Sequence, residues 1–399
     1  MLIQRSRRSL LTFTVCLVAF MALLFGIALA GEPHAAYYSA DNDKIFWFIE
    51  VTDTHIGARG SQDSNNLLWL VTQGKSIVNP EFIVVSGDLT DSTNGNWLGV
   101  PNGPYQSEWD EYRSILSQGN VASTNYYDLP GNHDAYSDPY FAYYRANSIQ
   151  GQATNSTQVS WTRQFGYGKY HFLGVNTADN SGGPFSLSWP WGDYAGLDTD
   201  ELSYIQRDLS LNSDADLTIV FGHHPVTDTG DNQDTWLYYG ASDFVGLLDQ
   251  NGASLYGYGH THRYSEELFT GDTYTGYMAG DGFVYLNITS LGKSTDNNFS
   301  VIAIDCNGLS TKTQTIGVWP LVLITTPVNH DLGGVTNPYS YAVPNASNNP
   351  IRALVFDKAA ISQVQYRVDN NSQWYPMQPV NGNPYLWEAM WDGSAMADG

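Results

Sequence analysis

The sequence predicts an α/β fold, because short apolar runs alternate with longer amphipathic stretches between residues 45 and 259. Six runs have the composition of buried strands: 45–51, 82–87, 125–131, 170–176, 217–222 and 254–259. Four stretches between them have apolar residues at helical spacing: 65–78, 107–119, 197–210 and 241–250. Strands that alternate with helices in this way form largely buried sheets with helices on their faces.

The chain becomes strand-rich after residue 266, where the helical spacing is lost. Residues 274–292 and 299–308 indicate strands that close the same domain. From residue 319 onwards, short alternating strands separated by Pro, Asn and Gly predict a partial Ig-like β-sandwich. We therefore expect one domain at 31–318, able to fold alone, and a truncated sandwich at 319–399, since such a domain usually takes about 100 residues.

Residues 1–30 have the pattern of an export signal. Three arginines, Arg5, Arg7 and Arg8, precede an uncharged apolar run that ends in "ALA". This pattern predicts a cleaved signal peptide and an exported protein, whether periplasmic, in the cell envelope or extracellular. The apolar run is long for a signal peptide, so an uncleaved N-terminal anchor is the alternative, and it is the one membrane contact that the sequence suggests.

The charge of the chain argues against nucleic-acid binding, and its cysteine content argues against an internal disulfide. The chain has 17 Lys and Arg against 40 Asp and Glu, a net charge of -23. Such a surface repels polyanions, so we expect no nucleic-acid partner. Of the two cysteines, Cys16 lies in the export segment, which leaves Cys306 without a partner for an internal disulfide.

Five of the strand-like runs end in side chains that can bind a metal. These are Asp53 and His55 in "DTH", Asp88 and Asp91 in "GDLTD", Asn132, His133 and Asp134 in "GNHD", His223 and His224 in "GHHP", and His260 and His262 in "GHTH". In open α/β folds, ligands bind at the carboxyl ends of the strands. Any one segment alone is explained by a turn or a core histidine, but a shared metal centre explains all five.

The donor types narrow the choice of metal. Asp, Asn and His without Cys suit iron, manganese, zinc or cobalt better than calcium. Seven ligands are too many for one ion that must also bind substrate. We therefore expect two divalent or trivalent ions that share a bridging carboxylate.

The motif order D-x-H, GD-x-x-D, GNHD, GHxP and GHxH resembles that of the calcineurin-like metallophosphoesterase superfamily, which includes the purple acid phosphatases. All five motifs occur in this order between residues 53 and 262. The resemblance implies a four-layer αββα sandwich, and the domain order is similar to that of the transmembrane protein 62 family. Leu89 and Thr90 follow Asp88 where purple enzymes carry a tyrosine, so the resemblance does not extend to their coloured ferric site.

The resemblance also implies a role for each residue. Asp53, His55 and His262 would hold one ion, Asn132, His223 and His260 the other, and Asp88 would bridge them. His133 would be the general acid, and Asp91 would orient it. His224 would lie near the substrate or be structural, and Asp134 would be a turn or helix-capping residue.

The implied activity is hydrolysis of phosphate mono- or diesters by a metal-bridging hydroxide, with a small phosphate ester as substrate. The aromatic insert 182–194 is either a wall for an organic leaving group or a loop packed on the surface. The alternative from another class is a non-catalytic envelope or adhesion protein that uses the same fold for binding. The complete ligand set, together with His133, favours the enzyme. The oligomeric state is left open by the sequence.

Overall fold

The structure is a computed structural model that describes residues 44–92, 103–136, 138, 140–178, 195–228, 236–272, 276–295, 297–340, 343, 346–368 and 372–394. The predicted export segment 1–30 and the aromatic insert 182–194 lie outside the described residues. Both interpretations therefore stay predictions.

The strands follow one another along the chain as β1 (Ile45–Val51), β2 (Ile83–Ser86), β3 (Tyr126–Leu129), β4 (Val159–Phe165), β5 (Gly168–Gly174), β6 (Leu217–Phe221), β7 (Ala253–Tyr258), β8 (Ser265–Asp272), β9 (Tyr277–Asn287), β10 (Asn298–Asp305), β11 (Gly308–Thr315), β12 (Leu321–Thr326), β13 (Asp331–Leu332), β14 (Val335–Thr336), β15 (Asn349–Phe356), β16 (Gln365–Tyr366), β17 (Tyr375–Pro376), β18 (Gln378–Pro379) and β19 (Leu386–Trp391). The helices are α1 (Ser61–Trp69), continued by a π-helical turn (Leu70–Gly74), α2 (Lys75–Val78), α3 (Gln106–Gln118), α4 (Asn132–Ala135), α5 (Ala142–Asn147), α6 (Ile149–Thr154), α7 (Thr199–Leu211) and α8 (Ala241–Gln250).

Two sheets stack face to face in the first part of the chain. One has the strand order β11-β10-β1-β2-β3, and the other has the order β4-β5-β6-β7-β9-β8. Neighbours β1, β2 and β3 run parallel, as do β5, β6, β7 and β9. An apolar cluster that includes Phe48, Phe82, Phe172, Phe221 and Ile302 fills the space between the sheets.

Helices cover the outer faces of both sheets. Leu67, Trp109 and Ile115 of α1 and α3 belong to the cluster on the outer face of the first sheet. Ile205 of α7 and Phe244 of α8 pack on the second sheet. These layers form the αββα sandwich that the resemblance implied, so the predicted fold class is confirmed.

Strand β1 shows why the buried strands are largely apolar. Phe46 and Phe48 point into the space between the sheets, whereas Trp47, Ile49 and Val51 point into the cluster on the other face. Successive side chains of a strand alternate between its two faces. Because both faces of β1 are covered, both sets are apolar except for the buried Glu50, and the run ends where the chain reaches the polar edge of the sheet.

A further antiparallel sheet, with the order β12-β15-β19-β18, follows the sandwich, together with the hairpins β13–β14 and β16–β17. Such sheets are consistent with the predicted β-sandwich. Its Ig-like character and the boundary at residues 318 and 319 stay predictions.

The C-terminal sheet shares a hydrophobic core with the first part of the chain. Leu323 and Phe356 belong to the same buried cluster as Trp47, and the rings of Trp47 and Phe356 lie 5.7 Å apart. Nε of the buried Arg352 lies 3.3 Å from Oδ2 of Asp305 in β10. The expectation that residues 31–318 fold alone does not fit this packing, because removal of the sheet would expose Trp47 and leave Asp305 without its cation.

In the parts of the chain described here, no helix combines the length and the apolar character needed to cross a membrane.

We predict that Leu323→Ala destabilises the whole chain. Leu323 is 3% exposed, and a large-to-small change at such a site costs about 2–5 kcal/mol of unfolding free energy. Its neighbour Ile324 is 52% exposed on the opposite face of β12, so Ile324→Ala is the matched control, with a cost of about 0.5 kcal/mol or less. Scanning calorimetry should show the main transition shifting in the first variant alone. A shift confined to a separate minor transition would instead show that the C-terminal sheet unfolds independently.

Candidate metal centre

The nine predicted site residues come together at one edge of the sandwich. They follow the carboxyl ends of β1, β2, β3, β6 and β7, in both sheets. The two sheets are stacked so that these edges adjoin. The residues are Asp53, His55, Asp88, Asp91, Asn132, His133, His223, His260 and His262.

The loops that carry these residues have an unusual backbone. Asp53, His55, Asp88, His260 and His262 have φ angles of 53°, 44°, 53°, 66° and 56°, in the left-handed region. Residues other than glycine adopt this region at a cost in free energy, and residues with such a strained backbone cluster at functional sites. Five of the seven predicted metal ligands share this feature, which supports a common function for them.

Two glycines allow the loops to approach each other. A Cβ atom on Gly87 would lie 2.3 Å from Nδ1 of His223, and one on Gly131 would lie 2.2 Å from Oδ1 of Asp88. Both distances are far shorter than a van der Waals contact. The glycines of "GDLTD" and "GNHD" are therefore needed where these loops pack against the site.

Asp88 lies at the centre of the site. Its Oδ2 is 3.2 Å from Nε2 of His223, 3.6 Å from Nε2 of His55 and 3.8 Å from Nε2 of His133. Its Oδ1 accepts a hydrogen bond of 2.9 Å from the backbone N–H of His133. The carboxylate thus faces donor groups from both sheets, as a bridging ligand must.

One group of donors lies beside Asp53. Its Oδ1 is 3.1 Å from Nε2 of His262 and 3.4 Å from Nε2 of His55. Burial would raise the pKa of Asp53, but His262 and His223 outweigh this effect and hold the pKa well below its usual value. Asp53 is therefore an anion, and its ligand atom lies within 4.8 Å of those of both histidines, close enough to bind one ion.

A second group of donors lies around Asn132. Its Oδ1 is 3.1 Å from Nε2 of His223 and 3.1 Å from Nδ1 of His260. Asp53, Asp88 and His223 also have ligand atoms within 4.8 Å of one another. Imidazole nitrogens and oxygens that converge in a buried space fit a borderline transition metal ion. The donor set at this edge of the sandwich therefore suits metal binding, with Asp88 among the groups of possible ligands.

His133 and Asp91 lie beside the donors. Nδ1 of His133 donates to the main-chain carbonyl of Asp91, while Oδ1 of the Asp91 carboxylate lies 3.6 Å from this nitrogen and 3.2 Å from Nδ1 of His55. Asp91 thus contacts His133 mainly through its backbone, and its carboxylate lies closer to the predicted ligand His55. Burial lowers the pKa of His133 to about 3.

The sequence interpretation missed Lys293. Its Nζ donates to Oδ1 of Asp91 at 3.0 Å, and its side chain is 37% exposed at the rim of the site. The residue lies in a loop after β9, 202 positions from Asp91, and no motif marks it. Sequence inspection had no signal for it, because the contact joins two segments that are far apart in the chain.

Asp134 and His224 contact the segments that carry the predicted ligands. The carboxylate of Asp134 accepts hydrogen bonds from the backbone N–H groups of Leu89, Thr90 and Gly131 at 2.9–3.1 Å, which joins two of the ligand loops. His224 is fully buried, with Nδ1 3.0 Å from Oγ1 of Thr177 and its ring 4.6 Å from that of His260. Asp134 therefore holds ligand-bearing segments in place, and a ring nitrogen of His224 lies within 4.8 Å of ligand atoms of His223 and His260.

Glu50 is a buried carboxyl in β1, three residues before Asp53. Its Oε1 accepts a hydrogen bond of 3.1 Å from Oγ of Ser86, and its Oε2 has no hydrogen-bond partner among the described residues. Burial raises its pKa from 4.5 to about 8. Glu50 is therefore protonated at neutral pH, which avoids a buried charge under the site.

Comparison with known proteins agrees with this geometry. A family model for the calcineurin-like phosphoesterases, a metallophosphoesterase family, matches residues 46–264. The match covers more than half of the chain and all five motifs, so the chain belongs to this family.

Two curated relatives and one solved structure are similar to the chain. It is 26% identical to transmembrane protein 62 of Mus musculus over 364 residues, which cover 85% of this chain and 49% of that protein. It is 24% identical over 280 residues to an Arabidopsis thaliana protein named as a metallophosphoesterase, with coverage of 65% and 35%. The chain therefore spans half or less of the length of these relatives. A dimetal phosphatase of Danio rerio has the same fold, with a TM-score of 0.51 and 13% identity over 68% of this chain and 97% of that one.

We predict that Lys293 keeps Asp91 in position. Lys293→Met should lower turnover about ten-fold, because loss of a charge-assisted hydrogen bond frees the Asp91 carboxylate next to His133. Lys293→Arg should restore most of the activity, and Lys312→Met, at an exposed position on β11, is the control. Steady-state kinetics on a phosphate ester measure the effect. Wild-type turnover in the Met variant would contradict this role.

We predict that Glu50 makes the protein less stable as the pH rises. A carboxyl with a pKa of about 8 in the folded state and about 4.5 in the unfolded state contributes full stability below pH 4.5, and this contribution is lost as the pH rises through 8. Glu50→Gln has no such dependence. Urea unfolding at about pH 5 and pH 8.5 should show the variant gaining stability relative to wild type at the higher pH. An equal difference at both values would mean that Glu50 does not titrate in this range.

Proposed function

We propose that the protein hydrolyses small phosphate esters at a dinuclear metal centre. The observation that carries this proposal is the convergence of six further donor residues around the buried carboxylate of Asp88, with His133 beside them. Membership of the calcineurin-like phosphoesterase family supports the same reaction class. A binding protein would have no need for this complete donor set.

The donors divide into two groups about Asp88. Asp53, His55 and His262 would hold one ion of the iron, manganese, zinc or cobalt class. Asn132, His223 and His260 would hold the second. Such a pair supplies a water of lowered pKa and neutralises the charge of the phosphate oxygens.

His133 lies where it would donate a proton to the leaving group. Because Nδ1 donates to the Asp91 carbonyl, Nε2 is the nitrogen that faces Asp88 and the site. The low pKa of about 3 keeps His133 neutral before substrate binds. An anionic phosphate next to Nε2 would raise this pKa, so we propose that His133 gains its proton together with the substrate and donates it to the departing alkoxide.

The setting of the enzyme is also a proposal. The N-terminal pattern at residues 1–30 supports export to the periplasm, the cell envelope or the extracellular space. The net charge of -23 favours a small substrate over nucleic acid. We therefore propose that the protein acts on small phosphate esters after export.

We predict that Asp88→Asn loses metal and activity together. An amide cannot bridge two cations as a carboxylate does, so at least one ion should be lost and turnover should fall by roughly 10²–10³-fold. The exposed Asp214→Asn is the control for the same chemical change. Elemental analysis after loading with zinc, manganese or iron, followed by assays on phosphate mono- and diesters, gives both quantities. Full metal content with normal turnover in Asp88→Asn would refute the dinuclear assignment.

We predict that His133→Ala keeps its metal and loses activity selectively. Alkyl phosphates need a proton at the leaving oxygen, so their turnover should fall about 10²-fold or more. Nitrophenyl phosphate needs little protonation and should lose much less. The ratio of the two rates, measured in wild type and variant at equal metal content, is the readout. A uniform loss accompanied by loss of metal would make His133 a ligand.

A further inference from the structure

A cavity of about 370 Å³ lies next to the candidate metal centre. Its lining includes Thr227, Asp228, Thr261, Arg263, Tyr264 and Asn287. This volume is within the range of small-molecule sites. None of the seven predicted metal ligands is among the residues that line the cavity.

The cavity is formed by the same two loops that carry predicted ligands. Thr227 and Asp228 follow His223 in the loop after β6, and Thr261 separates His260 from His262 in the loop after β7. A molecule bound in this cavity therefore lies beside the centre at the carboxyl edge of the second sheet. This is where the part of a substrate that extends beyond its phosphate would lie.

Asn287 is a polar residue of the cavity lining. The residue is 4% exposed at the end of β9, and its Nδ2 donates to Oγ1 of Thr261 at 2.6 Å. Its Oδ1 is buried and has no hydrogen-bond partner among the described residues. A buried amide oxygen without a donor costs free energy, and a ligand hydroxyl in the cavity would satisfy it once the Asn287 side chain turns towards the cavity.

The other lining groups narrow the class of ligand. Two carboxylates, of Asp228 and Glu267, accompany one cation, Arg263, so among these residues negative charge prevails. An anionic group would be repelled, and an apolar one would bury polar atoms without partners. A hydroxyl group both donates to carboxylates and accepts from a guanidinium, so it matches all three charged residues of the lining, whereas a cation matches only two of them. A neutral polyol can donate to the carboxylates and to Asn287 while its C–H face packs on the ring of Tyr264.

We propose that this cavity binds the leaving group of the substrate, and that this group is a neutral, hydroxyl-rich alcohol such as a sugar or polyol. The inference rests on the proposed phosphoesterase function. It assigns the cavity as the determinant of substrate choice, separate from the donors that hold the phosphate.

The test compares substrates with similar leaving-group pKa. Glucose 6-phosphate, hexyl phosphate and choline phosphate present a polyol, an apolar chain and a cation at comparable oxygens. The full chain should prefer glucose 6-phosphate over hexyl phosphate in kcat/KM by about ten-fold or more. The double variant Tyr264→Ala, Glu267→Gln should reduce this ratio about ten-fold through KM, while Tyr204→Ala, a surface tyrosine on α7, should not change it. A preference for hexyl or choline phosphate, or an unchanged ratio in the double variant, would overturn the proposal.

Binding without turnover separates the two inferences. Saturation-transfer NMR with glucose, which carries no phosphate, should detect binding to the full chain and its loss in the double variant. If no phosphate ester is hydrolysed but this binding is present, the proposed reaction fails and the polyol site stands. If phosphate esters are hydrolysed and glucose does not bind, the polyol site fails and the reaction stands.

Discussion

The buried carboxylate of Asp88 is the constraint on which the arrangement of the site depends. A charge taken out of water is costly unless it is closely paired, and the nitrogens of His55 and His223 lie 3.6 and 3.2 Å from its Oδ2. These two histidines come from separate loops, one in each sheet. The two sheets must therefore stack in one register for the charge to be compensated, so the fold and the site stabilise each other.

The loops around Asp88 adopt backbone conformations that are unfavourable for their residues. Left-handed backbone at the ligands and close approaches at Gly87 and Gly131 cost free energy that the surrounding structure must offset. The carboxylate of Asp134 offsets part of it, because it collects three backbone N–H groups from the two loops. The donors are in this way preorganised by residues that themselves bind nothing.

Stability is distributed beyond the sandwich that carries the site. The cluster that contains Trp47 continues into Leu323 and Phe356 of the C-terminal sheet, and Arg352 of that sheet forms an ion pair with Asp305 of β10. Strand β1 connects the two regions, since it packs on this sheet through Trp47 and leads directly to Asp53. Changes in the C-terminal sheet can therefore reach the position of the first ligand through a single strand.

The sequence by itself determined the α/β class, the five motifs and the residues that converge, because strand periodicity and the placement of polar residues at strand ends are local properties. It did not determine the contact of Lys293 with Asp91, the unpaired oxygen of Asn287 or the core shared with Leu323. Only the tertiary structure decided these, since each joins segments that no local pattern relates. Asp91 shows the same limit: its motif marked it as a partner of His133, but the packed loops place its carboxylate closer to His55 and leave the backbone carbonyl to contact His133.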